Sequence, residues 1–188
     1  MVLLVALSPP LEASTEDVIR ELLPLRNDFS IAVHSLDNAF AVGAIIRVAH
    51  SFLVREIIVI GSAPYYEKAS MGMEKYETIT RVADDDAFFL HVAGRPVWGV
   101  EKELARESIY DSKEFPKNVV FVLGSERFGL SRDFAQRCDN VVAIPMYGVN
   151  NSFPVAIAAG IVMSEWARRR YAPGAVVSGR PTPHGDGR

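Results

Sequence analysis

Five short apolar runs are spaced along the chain, and they constrain its fold more than any other feature of the sequence. They are SIAVH (30–34), EIIVIG (56–61), PVWGV (96–100), NVVFVLG (118–124) and NVVAIP (140–145). Each run has the length of a strand, and its apolar residues are largely consecutive rather than alternating with polar ones. Strands of this kind are typical of a parallel sheet that is covered on both faces.

Helical patterns lie between the apolar runs. From Ala41 to Phe52, apolar residues recur at helical spacing. Asp84 is expected to cap a short helix. Pro154 suits the first turn of a last helix, where a missing N–H costs nothing, and that helix is expected to run to Arg170. Strands that alternate with helices predict an α/β fold, with a mostly parallel sheet and helices on both faces.

The chain is expected to form one domain, since its length of 188 residues fits that size. Residues 1–29 are predicted to be a helical N-terminal extension, in which Ser14 caps a helix that Pro24 ends. Residues 30–170 are predicted to form the α/β domain. Residues 171–188 are rich in Pro, Gly and polar groups, which predicts a flexible tail.

The composition limits the location and the class of the protein. No stretch approaches the roughly 20 apolar residues that span a bilayer, and no basic residue precedes the apolar start, so neither a membrane span nor a secretory signal is expected. The single cysteine, Cys138, cannot form an intrachain disulfide, which suits the cytoplasm. No metal site is expected, because the histidines show no metal-ligand spacing: His34, His50, His91 and His184.

Three loops at predicted strand ends stand out, because ligands of parallel α/β folds bind beyond the carboxyl ends of strands. The first, 35–52, enters a helix and projects Arg47 from its middle. The second, 123–131, is framed by glycines that allow the backbone to approach a ligand closely. The third, 144–161, leads from a proline through asparagines and a serine into an alanine-rich helix. Each loop alone is also compatible with an ordinary solvated side chain, a tight turn or close helix packing.

Taken together and in this order, the three loops resemble the three motifs of the SpoU (TrmH-like) RNA methyltransferases, which belong to the SPOUT superfamily. The first motif, N-x-x-N-x-G-A-I-x-R-T, is matched at Asn38, Gly43, Ala44, Ile45 and Arg47. The second, L-x-x-G-x-E-x-x-G-L/V-S, is matched at Leu123 or its neighbours, Gly124, Glu126, Gly129, Leu130 and Ser131. The third, I-P-M-x-G-x-x-x-S-L-N-V-x-x-A, is matched at Ile144, Pro145, Met146, Gly148, Ser152, Val155 and Ala158.

The resemblance covers roughly residues 30–170 and implies a fold, a cofactor and a reaction. The fold would be of the SPOUT type, with a C-terminal segment that threads through a loop to form a deep trefoil knot. The cofactor would be S-adenosylmethionine, bound in the knot. The reaction would transfer a methyl group to a ribose 2′-hydroxyl of tRNA or rRNA, and the protein would be a homodimer with its last helix at the interface. With a formal net charge of −3, RNA contacts would come from a local basic patch.

The resemblance also assigns roles to residues. Those expected to bind the cofactor are Leu123, Gly124, Ser125, Gly129, Ile144, Met146, Ser152 and Phe153. Those expected in the catalytic group are Arg47, Asn38, Ser152 and Glu126. Arg47 would activate the hydroxyl; a guanidinium is a poor base, so the alternative is that it holds a phosphate and stabilises the developing alkoxide. Glu126 would orient the second loop or pair with an arginine, with a general-base role as the alternative.

Two positions depart from the family pattern. The second asparagine of motif one is Ala41 here, and the asparagine of motif three is Pro154, which lacks both an amide and an N–H. Asn150 and Asn151 are close enough in sequence to supply amides instead. The alternative function is therefore a weak or inactive relative that binds RNA or S-adenosylmethionine. A doubly wound nucleotide-binding enzyme is disfavoured, because no G-x-G-x-x-G turn follows an early strand.

RNA contacts are expected from arginines. Besides Arg47, the candidates are Arg168, Arg169 and Arg170 at the end of the last predicted helix, where they are equally compatible with a solvated helix end.

Overall fold

The computed structural model describes residues 12–34 and 39–170, and within them it contains seven strands and five α-helices. The strands are β1 (Ser30–His34), β2 (Ile57–Ile60), β3 (Ile79–Val82), β4 (Val97–Val100), β5 (Glu107–Ser108), β6 (Val120–Leu123) and β7 (Asn140–Ala143). The helices are α1 (Thr15–Leu22), α2 (Ala39–Ser51), α3 (Asp85–His91), α4 (Arg132–Arg137) and α5 (Val155–Arg170). Short 3-10 segments lie at Leu23–Leu25, Glu67–Ser70, Met73–Tyr76 and Lys102–Leu104.

The seven strands form one sheet in the order β3-β2-β1-β6-β4-β7-β5, and each neighbouring pair is parallel. The register places Ala32 of β1 between Ile58 of β2 and Val122 of β6. The predicted parallel sheet is therefore confirmed. Because all strands run the same way, the carboxyl ends of β4, β6 and β7 meet at one edge, where the second and third motif loops begin.

Helices cover both faces of the sheet, as predicted. On one face, Ile31 and Val33 belong to a buried core that α2 and α5 complete. On the other face, Ala32 belongs to a second core with Phe88 of α3 and Phe134 of α4. Successive side chains of a strand point to opposite faces, so a strand buried on both faces must be apolar at consecutive positions. This burial explains the apolar runs of the sequence.

The five predicted strands are all present, and the two that the sequence did not predict are the edge strands β3 and β5. The side chains of β3 are mostly half-buried or exposed, and its sequence ITRV includes two polar residues. β5 has two residues, both half-buried. An edge strand is paired on one side only and is less covered, so it lacks the continuous apolar run by which the central strands were predicted.

The N-terminal helix begins as expected. The side-chain oxygen of Ser14 accepts a hydrogen bond from the Asp17 N–H at 3.1 Å, and α1 passes into a 3-10 turn that contains Pro24. The predictions for residues 1–11 and 171–188 lie outside the described residues. The division of the chain at residues 29 and 170, and the trefoil knot, stay predictions. Within the described part of the chain, no helix is both long and apolar enough to cross a membrane.

Candidate functional site

A cavity of about 270 Å³ opens at the carboxyl ends of β4, β6 and β7. Three segments form its wall: residues 100–102 at the end of β4, residues 123–129 at the end of β6, and parts of residues 144–158, which run from the end of β7 into the first turn of α5. All eight residues that the family resemblance assigned to the cofactor line this cavity: Leu123, Gly124, Ser125, Gly129, Ile144, Met146, Ser152 and Phe153. The structure thus brings together residues from the second and third motifs, and their role as cofactor ligands stays a prediction.

The second motif loop is closed by its own backbone. The Gly129 N–H donates to the Ser125 carbonyl at 2.9 Å, and the Phe128 N–H donates to the Ser125 hydroxyl at 3.2 Å. A Cβ atom on Gly124 would lie 2.0 Å from the carbonyl carbon of Gly129, a distance that non-bonded atoms do not reach. Gly129 also has a φ of +64°, which favours glycine. Both glycines are therefore required by the closure of the loop itself, before any ligand is considered.

Glu101 braces this loop from the neighbouring strand, a contact that the sequence analysis missed. One of its carboxylate oxygens accepts a hydrogen bond from the Leu130 N–H at 3.0 Å. The same oxygen would lie 2.1 Å from a Cβ atom on Gly129, so the glycine leaves the space that the carboxylate occupies. A signal was available: Glu101 directly follows a predicted strand, and ligand sites lie beyond such strand ends.

Lys102, the next residue, reaches the third motif loop. Its ammonium group donates to the Asn151 carbonyl at 3.2 Å and lies 3.4 Å from the carboxylate of Glu103. Within the third loop, the side-chain amide of Asn150 donates to the Ser152 carbonyl at 3.3 Å. The turn after β4 is thus hydrogen-bonded to both motif loops. Asn151 lines the cavity, whereas the amide of Asn150 is engaged within its own loop.

The comparisons with known proteins agree with this arrangement. A sequence profile described as the SpoU rRNA Methylase family matches residues 28–164, which include the sheet strands β1 to β7 and most of α5. The chain belongs to this SpoU family.

Relatives in the family carry names that refer to RNA methylation. The chain is 31% identical over 136 residues to the 23S rRNA (guanosine-2′-O-)-methyltransferase RlmB of Coxiella burnetii, an alignment that covers 70% of this chain and 54% of RlmB. It is 24% identical to the putative TrmH family tRNA/rRNA methyltransferase YacO of Bacillus subtilis, over 76% of this chain and 59% of YacO. The chain therefore spans about half the length of the curated relatives that it matches.

Solved structures show the same fold. The SpoU methyltransferase AviRb of Streptomyces viridochromogenes, in complex with the cofactor AdoMet (S-adenosylmethionine), matches with a TM-score of 0.70 and 26% identity over 80% of this chain and 61% of AviRb. An AdoMet-bound rRNA methyltransferase of Sinorhizobium meliloti matches with a TM-score of 0.69 and 26% identity, over 82% of this chain and 61% of that one. The A. aeolicus TrmH/SpoU tRNA modifying enzyme, 24% identical, matches in fold with a TM-score of 0.70 over 83% and 84% of the two chains.

The catalytic group expected for a SpoU domain is only partly assembled at the cavity. Ser152 and Glu126 line it, and Glu126 is exposed, with no ion pair among the described residues. Arg47 lies in the middle of α2 with an exposed side chain and does not line the cavity. Asn38 lies outside the described residues. The carbonyl of Pro154 accepts hydrogen bonds from two N–H groups in the first turn of α5, at 2.9 and 3.0 Å, so this residue starts the helix.

One predicted RNA contact of this SpoU domain is wrong. The side chain of Arg169 is only 14% exposed, because it bonds to the Glu165 carboxylate and donates to the backbone carbonyls of Ile109, at 2.6 Å, and Ser112. Its guanidinium carbon also lies 4.2 Å from the ring centre of Phe115. A guanidinium with these partners holds α5 against the segment after β5, and it is not available to a phosphate.

Its neighbour Arg168 remains at the surface. It bonds to Glu165 at 2.7 Å but keeps 68% of its side chain exposed. The carboxylate between the two arginines is buried, and its hydrogen bonds, first from Arg168 and also from Arg169, lower the pKa of Glu165 below its ordinary value despite burial. Arg170 stays half-exposed over the ring of Trp166, with its guanidinium carbon 4.9 Å from the ring centre.

Proposed function

We propose that this SpoU protein transfers a methyl group from S-adenosylmethionine to a ribose 2′-hydroxyl of tRNA or rRNA. One observation carries the proposal: the eight residues assigned to the cofactor line one cavity at the strand ends, although they come from two separate loops. Membership of the family and AdoMet-bound structures of two relatives support the same assignment.

The residues of the cavity fit the proposed cofactor. Leu123, Ile144 and Val155 offer apolar surface for an adenine ring, and the closed loop at Gly124 and Gly129 brings backbone groups to the wall without side chains in front of them. The sulfonium of S-adenosylmethionine supplies an electrophilic methyl group. The protein has to hold that methyl group in line with the ribose oxygen, because the transfer requires a defined approach.

Arg47 is proposed to act on the RNA rather than on the cofactor. Its guanidinium is exposed on α2, and its planar fork suits a phosphate oxygen pair. With the phosphate held, the positive charge lies near the ribose oxygen as that oxygen loses its proton and gains negative charge. The Glu126 carboxylate, which lines the cavity and is exposed, is the proposed acceptor for that proton.

We further propose a homodimer, which would explain why Arg47 does not line the cavity of its own chain. A groove on α5 is lined by Ala156, Ile157 and Ile161 together with Val48 of α2, and 53% of Ile157 is exposed. Val48 directly follows Arg47 in α2 and projects about 100° away from it around the helix, so a second copy seated on this groove would come within reach of the long Arg47 side chain rather than directly against it. Apolar residues on an exposed helix are typical of an interface. The motif-one arginine of one copy would then act beside the cavity of the other.

A second candidate function is a relative that binds RNA or cofactor without methylating. It is favoured by the two residues that stand where the family has asparagines. Ala41 is buried in the core, and the carbonyl of Pro154 accepts hydrogen bonds from the first turn of α5. Neither residue offers an amide to the substrate.

For the methyltransferase we also propose a cytoplasmic location, because tRNA and rRNA occur there.

The deciding experiment compares nucleosides of tRNA and rRNA from cells with and without the gene. Mass spectrometry should find one 2′-O-methyl nucleoside missing from the deletion strain, and the purified protein should restore it with labelled S-adenosylmethionine. Calorimetry with the same cofactor measures binding separately. Binding without any restored nucleoside would establish the non-methylating candidate, and the absence of both would refute the proposed function.

A further inference from the structure

Two large aromatic side chains lie together at the surface beside the first motif. Phe40, in the first turn of α2, is 60% exposed, and Tyr66, before the 3-10 segment Glu67–Ser70, is 41% exposed. Their ring centres are 4.5 Å apart, with an angle of 40° between the ring planes. Phenylalanine is usually buried in a folded protein, so a paired, exposed set of rings calls for an explanation.

Gly43, the glycine of the first motif, allows the two rings to lie together. A Cβ atom on Gly43 would lie 2.7 Å from both the Tyr66 carbonyl oxygen and the Ala69 side chain, so only glycine lets this segment pack on α2. The Tyr66 N–H donates to the Ala39 carbonyl at 3.0 Å, which fixes the segment to the first turn of the helix. The ring of Tyr66 is therefore held beside Phe40 by backbone contacts.

The aromatic pair shares a helix face with the proposed catalytic arginine. Phe40 and Arg47 are seven residues apart on α2, which is about two helical turns or roughly 10 Å along the axis, on the same side. Both side chains are exposed. Phe40 also lies two residues after Asn38. A strand of RNA that places a phosphate on Arg47 has its neighbouring nucleotides within reach of the two rings.

The charged residues next to the two rings do not form a basic patch that would attract RNA. Glu67 and Lys68 directly follow Tyr66, and both are exposed, so they bring opposite charges. What the pair offers is flat aromatic surface without a net charge. Unpaired nucleobases stack on such surfaces, and single-stranded or looped RNA is recognised in this way because its bases are free to turn outward.

We propose that Phe40 and Tyr66 form a stacking platform for an unpaired base of the substrate RNA, next to the nucleotide whose phosphate Arg47 holds. The inference rests on the proposed function and adds that the modified nucleotide lies in a single-stranded loop rather than in a duplex. The platform positions the RNA and takes no part in methyl transfer.

The test uses a 20-nucleotide single-stranded RNA that carries 2-aminopurine, and the same RNA paired with its complement. The wild-type protein should bind the single strand more tightly and quench the fluorescence of 2-aminopurine, as stacking does. Phe40→Ala and Tyr66→Ala should each weaken binding about tenfold, the effect typical of one lost base stack. Phe40→Trp and Tyr66→Phe keep an aromatic ring and should keep the affinity. Leu90→Ala removes a side chain that is 79% exposed on α3 and should change nothing.

The salt dependence separates stacking from charge. Phe40→Ala should lower the affinity at every salt concentration and leave the slope of log affinity against log salt unchanged, whereas Arg47→Ala should reduce that slope by about one phosphate contact. Equal affinity of the alanine variants and the wild type would overturn the platform. So would a wild-type dimer that becomes a monomer in sedimentation with Phe40→Ala, because the rings would then belong to the interface between copies.

Failure of the proposed function gives a different result. A wild-type protein that binds no RNA and yields no heat with S-adenosylmethionine refutes the enzyme and the platform together. A wild-type protein that binds the cofactor and methylates RNA, with a Phe40→Ala variant of full RNA affinity, refutes the platform alone.

Discussion

The two ends of α5 use polar and charged groups in opposite ways. At its amino end, the loops around the cavity are closed by hydrogen bonds of their own backbone and by bonds to Glu101 and Lys102, and side chains such as Glu126 stay exposed on the wall. At its carboxyl end, Glu165 is 5% exposed and is bonded by both Arg168 and Arg169. At the first end, hydrogen bonds close the loops and functional side chains stay exposed, whereas at the second end the charged groups are already paired. A charged residue therefore indicates a binding site only when its partners leave it available.

The largest expected effect is at the amino end. Gly124→Val places a branched side chain against the carbonyl of Gly129, which should open the loop and lower the affinity for S-adenosylmethionine by up to about a hundredfold, since overpacking of this kind costs up to about 3 kcal/mol. Titration calorimetry measures the affinity. Leu90→Ala is the control, because Leu90 is 79% exposed on α3 and does not line the cavity. A folded Gly124→Val protein with wild-type affinity would show that the closed loop at Gly124 does not shape the cofactor site.

Variants of Arg47, which lies in α2, test whether the reaction also depends on a region outside both ends of α5. Arg47→Ala should lose about 10²-fold in turnover, as other removed donors to a developing negative charge do. Arg47→Lys keeps the charge without the planar fork and should also lose most of its activity. Both variants should bind S-adenosylmethionine normally, because Arg47 does not line the cavity. Methyl transfer to unmodified RNA provides the assay, and a full rate for Arg47→Ala would contradict the assigned role.

Glu165 provides the counterpart at the carboxyl end. Glu165→Gln should lower the free energy of unfolding by about 2 kcal/mol, because it replaces charge-assisted hydrogen bonds to two arginines with neutral ones. Affinity for the cofactor should stay unchanged. Urea denaturation followed by circular dichroism measures the loss, and a drop in cofactor affinity without a loss of stability would break the distinction between the two ends.

The same carboxylate predicts a pH dependence. Because the pKa of Glu165 is lowered in the folded protein, its contribution to stability is fully present above its ordinary value of about 4.3 and is lost as the pH falls through the folded pKa. Below pH 4.3 the wild type should therefore lose stability more steeply than Glu165→Gln. The free energy of unfolding of both proteins is measured between pH 5 and pH 3. An equal decrease in the two proteins over this range would contradict the expectation.

The smallest expected effect distinguishes the neighbouring arginines. Arg168 is mostly exposed and Arg169 is mostly buried, so of these two arginines Arg168 alone should reduce the salt dependence of RNA binding when it is replaced by Ala, by about one phosphate contact. Arg169→Ala should lower stability instead, since it removes the contacts to Phe115 and to two carbonyls. Filter binding across a salt series checks both variants, and an equal change in slope would contradict the structural role of Arg169.

The sequence was sufficient to predict those strands that are buried on both faces of the sheet. The central strands are covered on both faces, so each is a run of apolar residues that can be recognised without a structure. The motif loops could be located because they follow these strands. The edge strands β3 and β5 could not be predicted, because partial exposure removes the apolar run.

Contacts between distant segments could not be predicted from the sequence. Nothing local distinguishes Arg169 from Arg168; the difference is that one faces Ile109 and Phe115, which are more than 50 residues earlier in the chain. The hydrogen bond from Leu130 to Glu101 likewise joins segments that are 29 residues apart. Such contacts depend on the strand order, which the apolar pattern does not define.

The strand order also has a consequence for how the protein folds. β1 pairs with β6, so that Ile31 lies beside Phe121 at a separation of 90 residues. Contacts between such distant residues form slowly, because a long loop must close before they contribute energy. The cavity requires β4, β6 and β7 side by side, so it is complete only when these late pairings have formed. During refolding from urea, binding of S-adenosylmethionine should therefore appear after most of the helical circular dichroism has returned.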